Sequence, residues 1–131
     1  MGDGPHGWAA AEIVLFLRDC LVRESEGRLL LFQGANEQMV RKGANLRVTD
    51  APTTFGTLNV ALEFESDRRC VLKFRNEFHS EAPPASIDVI LPFGSAKVSA
   101  SIPDHIIQCE AGETATSISC TSTVRTVFVD L

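Results

Sequence analysis

At 131 residues, with 44% apolar and 22% charged side chains, the chain suits one domain with a buried core. Seventeen acidic against twelve basic residues leave a net charge of −5, which argues against nucleic acid as a partner, because phosphate binding needs a basic stripe. No apolar run approaches the ~18 residues of a membrane-spanning helix, and no basic segment precedes Ile13–Leu17, so neither a membrane partner nor a signal peptide is expected within the chain.

Residues 1–7 are Gly-rich and make a loose start. A helix is predicted over 8–24, because Ala9, Ala10 and Ala11 have high helix propensity and no Gly or Pro interrupts the segment. Ile13, Val14, Leu15, Phe16 and Leu17 cover most of its circumference. Glu12, Asp19 and Arg23 form a thin polar stripe, with Asp19 and Arg23 spaced as an i,i+4 pair. A helix apolar nearly all round is normally buried on most sides. Ser25, Glu26 and Gly27 end it, Gly27 being suited to a C-terminal cap or a turn.

After Gly27 the period changes to two. Arg28–Phe32 reads as a short buried strand, Ala35–Val40 as one helical turn closed by Lys42 and Gly43, Asn45–Thr49 as a strand, and Asp50-Ala51-Pro52 as a turn. Gly56–Glu65 holds the cleanest alternation: Leu58, Val60, Leu62 and Phe64 face one way, Thr57, Asn59, Ala61, Glu63 and Glu65 the other. Ser66-Asp67-Arg68 is a hairpin turn, and Cys70–Arg75 pairs back antiparallel. Ser80–Pro84 is a loop between strands. Ile87–Leu91, Lys97–Ile102, Ile106–Cys109, Thr116–Cys120 and Thr123–Val129 complete the strands. Short strands at this spacing, with polar turns, predict a mainly β fold: an antiparallel β-sandwich at 28–131 with one long N-terminal α-helix packed on it, in a single domain over 1–131.

Motifs for chemistry are sparse. Cys20, Cys70, Cys109 and Cys120 form no C-x-x-C pair and no zinc spacing with His6, His79 or His105, so no metal is expected. They read as four reduced thiols, or as a Cys109–Cys120 bridge across neighbouring strands if the compartment is oxidising. There is no Gly-x-Ser-x-Gly elbow and no phosphate-cradling glycine loop, and no cofactor or catalytic residue is assigned. Pro52-Thr53-Thr54-Phe55-Gly56 has a structural reading: Pro52 fixes the entry, Phe55 plugs the core and Gly56 permits close packing at the strand start. His6, Trp8 and Glu12 are the candidate ligand-binding residues. Trp8 could serve as a stacking platform and Glu12 could line a sugar site beside it. Against this, a solvated His6, a packing Trp8 and a Glu12 on the polar stripe explain the same residues, and one carboxylate without a partner does not make a glycosidase.

Pro5-His6-Gly7-Trp8-Ala9-Ala10-Ala11-Glu12, the helix through Leu21-Val22-Arg23-Glu24, and Arg28-Leu29-Leu30-Leu31-Phe32-Gln33-Gly34-Ala35 resemble the end of an (α/α)6-barrel glycoside hydrolase of the six-hairpin glycosidase superfamily, in bacterial members with a β-sandwich after the barrel. Asp50–Gly56 is similar to the segment leading into that sandwich, and Ile87–Ile102 to one of its strand pairs. The resemblance is specific from residue 5 to about 65. It implies a last barrel helix followed by a non-catalytic β-sandwich, in a parent that acts on a glycoside with acid and base supplied by the barrel. The chain departs from the family in having at most one helix of the barrel. The expected partner is that barrel, or a second copy of this chain through the helix. The other readings are a stand-alone carbohydrate-binding module, and a small free-standing protein derived from such a domain.

Overall fold

A computed structural model describes residues 6–43, 45–101 and 103–131. One helix, α1 (His6–Leu21), is followed by eleven strands: β1 (Val22–Ser25), β2 (Arg28–Leu31), β3 (Leu46–Thr53), β4 (Gly56–Ser66), β5 (Arg69–Phe74), β6 (Glu77–Phe78), β7 (Ile87–Leu91), β8 (Lys97–Ala100), β9 (Ile106–Ala111), β10 (Thr116–Cys120) and β11 (Thr126–Asp130). A 3-10 helix, Glu37–Gly43, separates β2 from β3.

The strands form two sheets, as the period-two pattern requires. One runs β1-β2-β7-β10-β9; the other runs β3-β4-β5-β11-β8, with β6 paired to β4. All pairs are antiparallel except β2–β7, where Leu29 lies opposite Ile87 and Leu31 opposite Val89. Because β2 and β7 run the same way, the chain must leave the first sheet after β2 and return to it at β7. The second sheet's strands β3–β6 lie within that excursion. The inward residues of both sheets meet in one core: Leu31, Ile87, Val89 and Ile118 from the first, Leu58, Leu62, Leu72 and Val129 from the second, all fully buried.

The alternation in β4 holds at its large apolar residues, whereas Ala61, expected on the outer face, is buried. Leu58, Val60 and Leu62 are buried and Phe64 packs against them, while Glu63 and Thr57 lie on the other face. On that outer face Arg47 donates to Glu63 Oε1 at 3.0 Å and Lys73 donates to Glu63 Oε2, which ties β3, β4 and β5 side by side.

Several local expectations are corrected. The helix ends at Leu21 rather than at residue 24, and Val22–Ser25 is a strand, not a last helical turn. Val22 is β-branched and 1% exposed, and Glu26 and Gly27, both at positive φ (50° and 76°), close a two-residue hairpin that pairs β1 with β2. Arg23 therefore lies in β1 and forms no helical pair with Asp19; Arg18 approaches Asp19 instead, at 3.7 Å. Asp50-Ala51-Pro52 is not a turn. It continues β3 past a bulge between Val48 and Ala51, where Asp50 takes φ 50° and its N–H donates to Asn59 Oδ1 at 2.9 Å. The reversal comes two residues later, at Thr54 and Phe55.

All four cysteines are free. The β9–β10 register sets Cys109 opposite Ile118 and Cys120 opposite Ile106, so the two thiols are not cross-strand partners. Burial pushes the Cys70 thiol up to about 11 and the Cys120 thiol up to about 12.

Candidate functional site

The helix expected to pack on the sandwich stands off it. Trp8, Ile13, Val14, Leu15, Phe16 and Leu17 are each between 55% and 67% exposed. Burial on most sides is thus corrected for this chain: α1 contacts β1 and β2, and apart from Ala9 its partly buried residues are Arg18, Cys20 and Leu21 in the last turn. Helix propensity and backbone hydrogen bonding make the segment helical, but the sandwich supplies no apolar surface to receive its sides. Monomers rarely expose contiguous apolar patches larger than a few hundred Å², which makes α1 the leading candidate for a functional surface.

The base of α1 is firmly built. Arg18 Nη2 donates to the Pro52 carbonyl at 2.7 Å and lies 3.9 Å from Glu24 Oε1. Glu24 Oε2 in turn accepts from the Thr54 N–H (3.1 Å) and from its hydroxyl. One cation and one carboxylate thereby join the helix, β1 and the β3–β4 turn. The Leu21 carbonyl accepts from Phe32 N–H at 2.9 Å and the Cys20 carbonyl from Gly34 N–H at 2.8 Å, satisfying two of the orphan carbonyls of a helix end. Phe32 makes its bond from φ 62° while fully buried, a backbone region that bulky residues rarely enter. Gly34 is obligatory here, since a Cβ on it would lie 2.6 Å from Cys20 Cβ and 2.9 Å from Cys20 Cα.

The Pro52–Gly56 segment serves the fold, as its structural reading holds. Thr53 Oγ1 donates to the Gly56 carbonyl at 2.7 Å and accepts from Phe55 N–H at 3.1 Å. Gly56 sits at φ 124° with a virtual Cβ only 2.3 Å from the Glu77 carbonyl. Phe55 packs against the core.

Trp8 and Glu12 lie one turn apart on α1, both exposed. His6 opens the helix, but its side chain lies outside the described residues. The three share no cavity among those described.

Among the described residues, two grooves lie along the outer face of the first sheet. One of about 700 Å³ runs past Gln33, Asn36, Gln38 and Glu113; one of about 360 Å³ is lined by Arg28, Asp88, Gln108, Glu110, Ser117 and Ser119. They share Gln33 and Ile90, and neither has an aromatic ring in its lining. Asp88 is fully engaged: its Oδ1 accepts from Ser86 (3.0 Å) and Ser119 (2.7 Å), and its Oδ2 from Arg28 (3.2 Å). Such a carboxylate braces β2, β7 and β10, with both oxygens already accepting hydrogen bonds within the chain. No cluster of metal-ligating side chains exists among the described residues.

Arg18, Glu24 and Gly34 are the residues that sequence reasoning missed. The signal for Arg18 was its position: a lone cation after five apolar residues needs an acceptor, and a carbonyl across the chain supplies it. No family model matches this chain, and neither does any curated protein or solved structure.

Proposed function

We propose that this chain is the non-catalytic β-sandwich domain of a glycoside-hydrolase-like protein, joined to a helical barrel through α1 and acting by packing on it. The observation that carries the reading is the exposure of five consecutive apolar residues, Ile13–Leu17, on a helix whose base is rigidly fixed. The resemblance of residues 5–65 to the junction between barrel and sandwich supplies the identity of the partner. A helix of this kind belongs in the interior of something, and the sandwich is not that thing.

A stand-alone carbohydrate module is the weaker reading. It would display aromatic rings on a sheet face, whereas the most exposed rings, Trp8 and Phe16, are on the helix. Phe128, on the outer face of β11, is covered by the Arg69 guanidinium 5.8 Å from its centroid. The free-standing derivative has no observation that favours it.

The test is an antibody against the sandwich, applied to extracts of the source cells. The expected antigen is a species well above 14.2 kDa that hydrolyses an aryl glycoside after immunopurification, while the isolated chain hydrolyses none. An antigen of 14.2 kDa that purifies without a helical partner and without hydrolase activity would overturn the proposal.

A further inference from the structure

We propose that a small cavity beside β6 and the β10–β11 connection is an oxyanion-binding site, which takes the carboxylate or phosphate group of a small organic molecule. The site has no part in the packing of α1 and stands whatever covers that helix.

The cavity holds about 270 Å³ and forms where separate segments of the chain converge. Asn76 and Phe78 come from the end of β5 and from β6, His79 and Ser80 from the loop before β7, and Ser122 and Arg125 from the β10–β11 connection. Their backbone is pinned. Phe74 N–H donates to the Arg125 carbonyl at 2.7 Å, His79 N–H to the Phe55 carbonyl at 2.8 Å, and Val124 N–H to the Thr121 carbonyl at 3.2 Å. Val124 is fully buried, while Thr123 and Arg125 on either side of it are exposed. The side chains, by contrast, are idle. The Arg125 guanidinium, the His79 imidazole and the Ser80 and Ser122 hydroxyls make no hydrogen bond or ion pair among the described residues. Arg18, Arg28, Arg47 and Arg69 each meet a carboxylate within the chain. Asn76 adds the sharper sign. Its Oδ1 accepts from Asn59 N–H at 3.2 Å, which fixes the amide's orientation. Its Nδ2 is then left buried with no acceptor, the one such side-chain atom among the described residues. Buried polar atoms in native chains nearly always have a partner, so this donor marks a place for an incoming oxygen.

Charge selects the occupant. No carboxylate lines the cavity; Glu77 and Glu81, neighbours in sequence, are not among its walls. A cation would find only hydroxyl oxygens and a ring there. A neutral sugar needs acceptors as well as donors, and the Asn76 Oδ1 is already taken. An oxyanion fits the set. A guanidinium presents its N–H groups as a fork that matches carboxylate and phosphate alike, and Asn76 Nδ2 supplies a further donor. The volume lies below the roughly 300 Å³ at which drug-sized sites begin. That limits the guest to its charged group and a short body, with Phe78 and Pro83 as apolar walls beside it.

The experiment titrates the nitrogen-15-labelled chain with inorganic phosphate, phenyl phosphate and benzoate, followed by NMR in about 0.15 M salt to screen loose charge pairing. The expected result is a saturable shift of the Asn76 side-chain amide and of the backbone amides at 76–80 and 122–125. Saturation by phenyl phosphate, with or without inorganic phosphate, makes the natural ligand a phosphate ester; saturation by benzoate alone makes it a carboxylate. Arg125→Gln should weaken the binding by about tenfold or more. Its melting temperature should match the wild type, because the side chain is exposed and bonded to nothing among the described residues. Asn76→Asp keeps the acceptor for Asn59 N–H and turns the orphaned donor into a negative charge, and should abolish binding. No saturation by any of the three anions, equal affinity in Arg125→Gln, or shifts centred elsewhere in the chain would each overturn the proposal. None of these outcomes bears on the hydrolase reading, which is tested on the whole protein from its source cells.

Discussion

Replacing Arg18 by Ala leaves the Pro52 carbonyl and the Glu24 carboxylate without their cation. The expected loss is about 1–2 kcal/mol, read as a lower denaturant midpoint, with Lys restoring part of it. Gly34→Ala should act through the same joint, because the new methyl must displace Cys20 backbone; a lowered melting temperature with the sheets' circular dichroism intact is the expected result. On the outer face of the second sheet, hydrogen bonding and charge from Lys73, reinforced by Arg47, hold the Glu63 carboxyl below its ordinary 4.5. A depressed folded-state value means this stabilisation is fully present above pH 4.5 and is lost as pH falls through the lower folded value. The stability difference between wild type and Glu63→Gln should therefore shrink on acidification from pH 6 to pH 3. A difference that grows would contradict the ion-pair account. The thiols divide in the same physical way: Cys109 is exposed, whereas Cys70 and Cys120 are buried with raised values. In the native protein at neutral pH, maleimide should label Cys109 rapidly and reach Cys70 and Cys120 only on unfolding.

At the scale of elements, strands and helix answer differently to the same substitution. Ile118→Ala in β10 empties a fully buried site and should cost about 2–5 kcal/mol. Ile13→Ala on α1 removes a side chain that touches solvent, and in the isolated chain it should stay within about 0.5 kcal/mol of wild type. A large loss at Ile13 would show that α1 folds back onto the sandwich. The strands were legible because their burial follows the alternation, as in β7 and β10. β1 was not, because Leu21–Ser25 carries no breaker and Gly27 serves a helix stop as well as a hairpin. Pro52 was read as closing a turn, since a bulge at positive φ uses the same residue, Asp50, that opens turns. Two-residue β6 is set by its pairing with Gly56 and Thr57, a distant contact with no local signature. The apolar girth of α1 was plain from residues 13–17, and a helix left without its barrel is expected to expose it; whether the helix folds back onto the sandwich was not plain, because that depends on where the sandwich's own apolar residues point.

For the whole molecule, an isolated chain with this helix bare should self-associate with rising concentration and without a fixed stoichiometry, because nothing in α1 specifies a closed pairing with itself. Light scattering after size exclusion should show this, and Leu15→Asp combined with Leu17→Asp should return a monomer. A discrete dimer of the wild type would instead favour a second copy as the natural partner. One further property belongs to the molecule as a whole. Leu21 ends the helix and the buried Val22 begins β1 with no residue between them, and the joint is locked by Arg18 and Gly34. The sandwich therefore cannot swivel about its attachment like a tethered domain. It is carried at a set angle, as a blade is by its handle, so that whatever grips the helix also dictates which sheet face and which groove are turned toward its own surface.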